Sequence, residues 1–132
     1  MDKPTDRSVI ATADAPAAIG PYSQAIAADG LLYCSGALPL DAESGELADS
    51  SVAAETIKCL ENLSAVCRAA GTDLGVAALR LTIYTTRLDA FADINEAYGD
   101  FFRGIPPARA AIGVSALPKG ANVEIDAIVA LK

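Results

Sequence analysis

Arg109 is a charged residue in an apolar segment of the chain, and its chemistry suits ligand binding. It lies between small apolar residues in the segment 106–112. Its guanidinium stays charged at any usable pH and matches a carboxylate through two parallel hydrogen bonds. Arg109 is therefore a candidate binding group for a carboxylate-bearing ligand. The alternative is a structural salt bridge to an internal Asp or Glu, a role that arginine also fills in proteins.

Glu124 is a second candidate, because the residues around it predict a strand with one polar face. Successive side chains of a strand point to opposite faces, so Glu124 and Asp126 lie opposite Val123, Ile125 and Ala127. A pair of solvated carboxylates is the alternative interpretation. If another subunit covers this face, Glu124 could position or deprotonate a water molecule. Asp126 is interpreted as structural.

Three residues near predicted turns give weaker signals. Tyr22 follows Pro21, and the dipeptide Ser35-Gly36 ends a predicted hairpin. Side-chain packing and ordinary turn formation are the alternatives at these positions. Gly36 would nevertheless let a ligand approach the backbone closely, because glycine has no Cβ atom.

The amino-acid composition excludes several classes of catalytic site. The chain contains no histidine, which excludes Ser-His-Asp, Cys-His and H-E-x-x-H chemistry. Cys34, Cys59 and Cys67 form no C-x-x-C pair, so neither a disulfide framework nor a zinc site is indicated. The glycine-rich phosphate-binding motifs and the G-x-S-x-G motif are absent. We therefore expect no metal and no nucleotide cofactor.

The charge and the hydropathy of the chain indicate its partners and its location. The formal net charge is −7 and the basic residues are scattered, whereas nucleic-acid binding depends on lysine and arginine that neutralise phosphates. We therefore expect no nucleic-acid partner. No apolar run reaches the roughly 18 to 20 residues of a membrane span, and the first residues are charged rather than typical of a signal peptide. We expect a cytoplasmic protein without membrane association.

Local patterns predict the elements that would hold the candidate residues. The dipeptide Asp29-Gly30 lies between two apolar segments and is typical of a type I′ hairpin turn. Apolar residues recur at helical spacing over 51–70, with Gly71 at the C-terminal cap. Asp89 is a suitable N-cap for a second helix. Aliphatic residues that share one face of a strand between the helices are Leu79, Leu81 and Ile83.

Together these elements predict one α+β domain over residues 1–132. Two further strands, at 109–114 and 122–131, complete the order β-β-α-β-α-β in two layers. Two helices can cover only one face of the sheet, and the other face is too apolar to be fully solvated. A homo-oligomer that packs these sheet faces around a closed ring would cover them.

A set of motifs spread over nearly the whole chain is more specific than any single residue. The segments are 15–25, Tyr33-Cys34-Ser35-Gly36, Leu38-Pro39-Leu40-Asp41, Gly45-Glu46, Glu61-Asn62-Leu63, 91–98, Pro107-Ala108-Arg109 and 117–125. In this order and spacing they resemble the reactive-intermediate deaminase family, the RidA or YjgF-like proteins. The resemblance implies a chorismate-mutase-like fold and a homotrimer with a central sheet barrel and clefts between subunits.

The resemblance also implies an activity and a set of site residues. The activity is hydrolysis of 2-imino or 2-enamino acids, such as 2-iminopropanoate, to 2-oxo acids and ammonia, without a cofactor. The family's carboxylate-binding arginine falls on Arg109 and its water-associated glutamate on Glu124. Other positions that match the cleft are Tyr22, Ser35, Gly36 and Asn95, and the backbone at Ala111 is a further substrate contact.

Two departures from the family pattern and two other functions stay open. Many relatives carry Gln where Ala37 stands and a polar residue where Ala111 stands, so the cleft is expected to be more apolar. This change would either shift the preferred substrate toward a bulkier imine or leave only modest activity. One alternative function is an RNA-directed trimer of the ribonuclease or translation-inhibitor type. The other is a ligand-binding or chaperone-like trimer without turnover.

Overall fold

The computed structural model describes residues 6–47 and 51–131. Within these ranges the strands are β1 Ser8–Ile10, β2 Ala25–Ala28, β3 Leu31–Ala37, β4 Ala78–Thr85, β5 Ala108–Gly113 and β6 Val123–Ala130. The α-helices are α1 Val52–Ala69, α2 Leu74–Ala77 and α3 Phe91–Phe101, with 3-10 turns at Leu88–Ala90 and Pro118–Gly120. The strands form one sheet in the order β1-β2-β3-β6-β4-β5. The predicted α+β architecture is confirmed.

The hairpin between β2 and β3 forms where the sequence predicts it. Ala28 pairs with Leu31 across the turn. Asp29 and Gly30 have φ angles of 53° and 79°, the left-handed values that both central residues of a type I′ turn require. The turn also holds the end of β6, because the Leu131 N–H donates to the Gly30 carbonyl at 2.9 Å.

Helix α1 begins and ends at the predicted positions. The Ser51 hydroxyl accepts a hydrogen bond from the Ala54 N–H at 3.0 Å, which satisfies one of the free donors of the first turn. Gly71 takes a φ of 83° just beyond the last turn, as a left-handed C-terminal cap requires. Residues of α1 that bury their side chains in the core include Cys59, Leu60 and Leu63.

Strand β6 lies in the middle of the sheet and shows the predicted alternation. Its inward residues Val123, Ile125 and Val129 are fully buried, and α1 packs over β3 and β6 on that side. Each such aliphatic side chain contributes about 1.5–3 kcal/mol through burial. Leu81 and Ile83 of β4 join the same core. This inward face is therefore the main hydrophobic core.

The structure corrects two details of the sequence prediction. Leu79 does not share the face of its neighbours Leu81 and Ile83, because a register irregularity between Ala78 and Arg80 leaves it 47% exposed. Asp89 does not cap α3. Its carboxylate accepts two hydrogen bonds of 2.9 Å from the Arg87 guanidinium within a 3-10 turn, and α3 starts without a side-chain cap.

The sheet has more strands than the order β-β-α-β-α-β, which places one strand after the second helix, whereas both β5 and β6 follow α3. The sequence prediction also contained neither β1 nor α2. Strand β1 is short and adds to the sheet edge through Val9 and Ile26. Helix α2 is a single turn in which Asp73 accepts from the Gly75 N–H at 2.8 Å. Elements this short carry too few residues for a periodic pattern.

The outer face of the sheet mixes polar and apolar residues, as predicted. Cross-strand pairing brings onto it Tyr33, Ile128, Arg80, Asp126, Thr82, Glu124, Tyr84 and Ile112. Tyr33 and Ile112 remain 45% and 44% exposed in the single chain. The described helices lack the length and apolar character of a membrane span.

Candidate active site

Glu124 lies in a cleft on the outer face of the sheet, together with three other predicted site residues. The cleft has a volume of about 310 Å³. Its lining consists of Ile19, Tyr22, Ser35, Gly36, Leu38, Pro118 and Glu124. We call Tyr22, Ser35, Gly36 and Glu124 the cleft group. The structure therefore brings together four residues that are far apart in the sequence.

Gly36 and Glu124 approach each other so closely that no other residue fits at position 36 without displacement. A Cβ atom at Gly36 would contact the Glu124 carboxylate oxygen and would lie 2.9 Å from its Cδ atom. The pairing of β3 with β6 shifts register between Cys34 and Ala37, which is the place where this approach occurs. Glycine is required here by the side chain of the facing strand rather than by its own φ angle.

Side-chain hydrogen bonds fix the loop that forms the far wall of the cleft. The Gln24 amide nitrogen donates to the carbonyls of Thr12 and Pro16 at 3.1 and 2.8 Å, and its amide oxygen accepts from the Thr12 N–H at 2.7 Å. The Ser35 hydroxyl donates to the Ser23 carbonyl at 2.6 Å. These bonds tie the loop that carries Tyr22 to the end of β3, so the cleft is preformed.

The surroundings of Glu124 favour its protonated form. Burial raises the pKa of the Glu124 carboxyl above its usual range, and the negative charge of Asp126 raises it further. Asp126 accepts a hydrogen bond from the Tyr84 hydroxyl at 3.0 Å, as its structural interpretation predicts. A carboxyl group with a raised pKa exchanges protons more readily near neutral pH, which suits general acid and base catalysis.

Arg109 lies on the edge strand β5 against aromatic residues of α3. Its guanidinium carbon is 5.4 Å from the centre of the Phe91 ring and 5.0 Å from that of Tyr98, within the range of cation–π attraction. The Arg109 Nη1 donates to Asn95 Oδ1 at 2.8 Å. Phe91, Asn95 and Tyr98 follow the i, i+4, i+7 spacing of one helix face.

Arg109 has no acidic partner in the described part of the chain. The ion pairs found there are Lys58–Glu61 and Arg87–Asp89. The alternative of an internal salt bridge is therefore wrong for these residues, and Arg109 is exposed rather than buried. The exposed side chain is held by Asn95 and the two rings. This arrangement presents a positioned cation to an anion from outside the chain.

The strand register places Arg109 and Glu124 on opposite faces of the sheet. Arg109 pairs with the inward residue Leu81, whereas Glu124 pairs with Tyr84 on the outer face. Ala111 pairs with Ile83 and follows Arg109 on the same side. We call Asn95, Arg109 and Ala111 the edge group. Within one chain the predicted site is thus divided into a cleft group and an edge group.

Sequence reasoning did not identify the residues that hold these two groups. Phe91 and Tyr98 lie in the motif segment 91–98, and nothing local indicates that Arg109 lies over them. The i+4 position of Asn95 between the two rings is the signal that could have suggested a polar site on this helix face. Gln24, which fixes the loop, has only backbone partners and gives no sequence signal.

The other potential ligands are not arranged as a metal site. In the ranges 6–47 and 51–131, Cys, Asp and Glu side chains form no group of three or more that could hold a metal ion. Cys34, Cys59 and Cys67 are buried free thiols.

Comparison with known proteins identifies the family. The family model described as Endoribonuclease L-PSP matches residues 12–131. The chain belongs to this family, the RidA/YjgF-like or Rid proteins. A RutC family protein, y4sK of Sinorhizobium fredii, is 50% identical over 122 residues, which cover 92% of this chain and 96% of that protein.

Two further Rid-family relatives connect the chain to an activity and to the fold. The mouse 2-iminobutanoate/2-iminopropanoate deaminase is 45% identical over 92% of this chain and 90% of its own length. A solved Rid protein of Yersinia pestis, YyfA, is 44% identical with a TM-score of 0.90, over 95% of this chain and 99% of that one. The chain thus has the chorismate-mutase-like α+β fold implied by its sequence motifs.

Proposed function

We propose that this Rid-family chain hydrolyses 2-imino and 2-enamino acids, such as 2-iminopropanoate, to 2-oxo acids and ammonia. The observation that carries the proposal is the guanidinium of Arg109, which Asn95 holds in place while no acidic residue within 6–47 and 51–131 neutralises it. Such a group suits a small carboxylate. The name of the mouse relative supports the same substrate class.

The proposed site forms between two copies of the chain. The cleft group and the edge group lie on opposite faces of one sheet, so a single small substrate cannot contact both within one chain. A homotrimer with its sheets around a central barrel would bring the edge group of one subunit to the cleft group of the next. The exposed Tyr33 and Ile112 of the outer face would then be covered, and cyclic symmetry is common among homo-oligomers.

The proposed mechanism uses substrate positioning and one carboxyl group. Arg109 binds the substrate carboxylate, and backbone groups at Ala111 and Gly36 complete the contacts. Glu124 accepts a proton from a water molecule while the water oxygen forms a bond to C2. The resulting carbinolamine receives this proton from Glu124 on its nitrogen. Glu124 then accepts the hydroxyl proton as the C=O bond of the 2-oxo acid forms and the C–N bond breaks. The departing ammonia takes that proton from Glu124 and leaves as ammonium. Because an iminium carbon is already electrophilic, positioning and proton transfer provide the rate enhancement.

The description of the family model raises ribonuclease activity as the competing function. The net charge of −7 opposes phosphate binding, which requires clustered cations. Incubation of the protein with single-stranded RNA at low salt separates the two functions. If the protein is a deaminase, we expect the RNA to stay intact and imines to release ammonia. RNA cleavage without ammonia release would instead support the ribonuclease function.

The decisive experiment removes the Arg109 guanidinium. 2-Iminopropanoate is generated from alanine by an amino acid oxidase, and ammonia release is measured above the spontaneous rate. We expect Arg109→Ala to lower kcat/KM by about 10²–10³-fold, as is typical when one partner of a charged pair is truncated. Arg109→Lys, which keeps the charge but loses the planar fork, should retain part of the activity. A rate unchanged in Arg109→Ala would refute the proposal.

A further inference from the structure

A second, smaller cavity lies behind the cleft, on the core side of the sheet. It occupies the space between the end of β3, the loop before β2 and helix α1. Its volume is about 50 Å³, several times the roughly 10–15 Å³ that one water molecule needs. We call it the inner cavity. The residues that line it but not the cleft are Ala15, Pro16, Ala17, Gln24, Ala37, Leu40, Asn62, Leu63 and Val66.

The inner cavity and the cleft share part of their walls. The residues common to both are Ile19, Tyr22, Ser35, Gly36 and Leu38. Beyond Cys34 the edge of β3 is no longer paired with β2. Two bonds of Ser35 join it to the preceding loop: its N–H donates to the Gln24 carbonyl at 3.0 Å and its hydroxyl to the Ser23 carbonyl at 2.6 Å. The inner cavity and the cleft beside Glu124 are therefore adjacent spaces that share these five residues.

The walls of the inner cavity offer few free polar groups. The Gln24 amide bonds to the backbone of the loop, and the Asn62 amide nitrogen donates to the carbonyls of Leu38 and Leu40 at 3.0 Å each. The Ser35 hydroxyl proton is donated to Ser23. The Tyr22 hydroxyl accepts from the Ile19 N–H at 3.2 Å. Because these polar side chains are already bonded, and the rest of the lining is aliphatic apart from the Tyr22 ring, the cavity favours an apolar occupant.

We propose that the inner cavity receives the apolar side chain of the substrate. The inference rests on the function proposed above, since it places the reacting carbon beside Glu124. The preferred substrates are then 2-imino acids whose side chains carry about three to five carbon or sulfur atoms, as those derived from leucine or methionine. 2-Iminopropanoate carries a single methyl group and leaves the cavity unfilled. Acidic and basic side chains are excluded because they would lose hydration without gaining a partner.

Binding of the product 2-oxo acids tests the inference without turnover. 4-Methyl-2-oxopentanoate has the carboxylate of pyruvate and a longer apolar side chain. We expect calorimetry to give a Kd at least about tenfold lower for 4-methyl-2-oxopentanoate, since each extra buried methylene gives a factor of this order. Equal affinities would overturn the inference.

Ala37→Leu fills the inner cavity without touching the cleft, because Ala37 lines only the former. We expect this variant to bind pyruvate as the wild type does and to lose the preference for 4-methyl-2-oxopentanoate. The matched control is Ala69→Leu, which adds the same side chain on the exposed last turn of α1 and should keep the preference. Equal weakening of both ligands in Ala37→Leu would overturn the inference.

Val66→Ala provides the converse test if the larger side chain at position 37 prevents folding. It enlarges the cavity from the helix side, so the affinity for phenylpyruvate relative to pyruvate should rise at least about threefold. An unchanged ratio would contradict the inference.

The same variants in the ammonia assay separate this inference from the proposed function. If imines are hydrolysed at rates that do not depend on side-chain length, the deaminase proposal stands and the proposed role of the inner cavity is wrong. If the protein binds long-chain oxo acids selectively, loses this preference in Ala37→Leu and accelerates the hydrolysis of no imine, the inner cavity is a binding site and the deaminase proposal is wrong.

Discussion

The cleft group and the edge group are built in different ways. The cleft group is fixed by contacts inside its own chain, through the bonds of Gln24 and Ser35 and the close approach of Glu124 to Gly36. The edge group stands on an exposed strand edge, where Arg109 is held by one hydrogen bond and two aromatic rings. The cleft group is therefore a preformed cavity, and the edge group is a positioned charge that is exposed to solvent.

This difference shows what each region needs from a neighbour. The lining of the cleft includes a carboxyl group but no cation, whereas the edge group supplies a cation on an exposed strand. The two are complementary for a small carboxylate, and the strand register prevents them from meeting within one chain. The following predictions test whether two copies combine them.

Mixing two inactive variants gives the largest expected effect. Arg109→Ala and Glu124→Gln homo-oligomers should each lose at least about 10²-fold in kcat/KM. Co-expressed and purified together through two different tags, they should recover about a third of wild-type activity, because every mixed trimer that carries both tags keeps both residues intact at one of its three interfaces. If both residues served a site within one chain, the mixture would stay inactive.

Gly36→Ala should damage the cleft group alone. The added Cβ atom displaces the Glu124 carboxylate, which can rotate away at little cost to the fold, so kcat/KM should fall by about 10²-fold while the melting temperature changes little. Gly104→Ala is the matched control, since a Cβ atom there meets no other atom within 4 Å. Full activity in Gly36→Ala would show that the position of Glu124 is unimportant.

Asn95 variants should change the edge group by a smaller factor. Asn95→Ala removes a hydrogen bond of 2.8 Å to Arg109, and we expect KM to rise by about three- to tenfold, the value of one such bond, with little change in kcat. Asn95→Asp should raise KM more, because its charge competes with the substrate carboxylate for Arg109. A smaller effect of Asp than of Ala would contradict the role of Arg109 as an anion site.

The pH dependence should give the smallest effect and reports on the cleft group. Burial and Asp126 raise the pKa of Glu124, so the acidic limb of the kcat/KM profile should lie above the ordinary glutamate value of about 4.3. Asp126→Asn removes the neighbouring charge and keeps an acceptor for Tyr84, so the limb should move to lower pH. If the acidic limb of the Asp126→Asn profile stays at the wild-type pH, a group other than Glu124 controls it.

The raised pKa also has a defined sign for stability. A carboxyl group whose pKa is higher in the folded than in the unfolded chain stabilises the fold below its unfolded pKa, and this contribution is lost as the pH rises through the folded pKa. Glu124→Gln should therefore melt at the same or a higher temperature than the wild type at pH 7, and the difference should shrink below about pH 4. Thermal melts at the two pH values measure it.

The sequence predicts those parts of the fold that depend on neighbours along the chain. The Asp29-Gly30 turn, the capped helix α1 and the alternation of β6 all follow from residues within one element. Two local predictions are wrong for different reasons. Asp89 does not cap α3 because its carboxylate binds Arg87 instead, and Leu79 is exposed because β4 starts with a register irregularity.

The candidate residues could be named from the sequence, but their arrangement could not. The family motifs indicate Arg109 and Glu124 by position alone. Their placement on opposite faces depends on the pairing of β5 with β4 and of β4 with β6, which are contacts between distant segments. Likewise, a charge among small apolar residues suggests a buried ion pair, whereas Arg109 lies on the Phe91 and Tyr98 rings supplied by α3.

The central position of β6 has a consequence for biosynthesis. This strand joins β3 to β4, and it follows every other strand along the chain. A nascent polypeptide that has not yet reached Val123 therefore contains two separate pieces of sheet with their inner edges unpaired, and such edges favour association with other chains. The two pieces can join only after this last strand has been synthesised, so their inner edges stay unpaired until then.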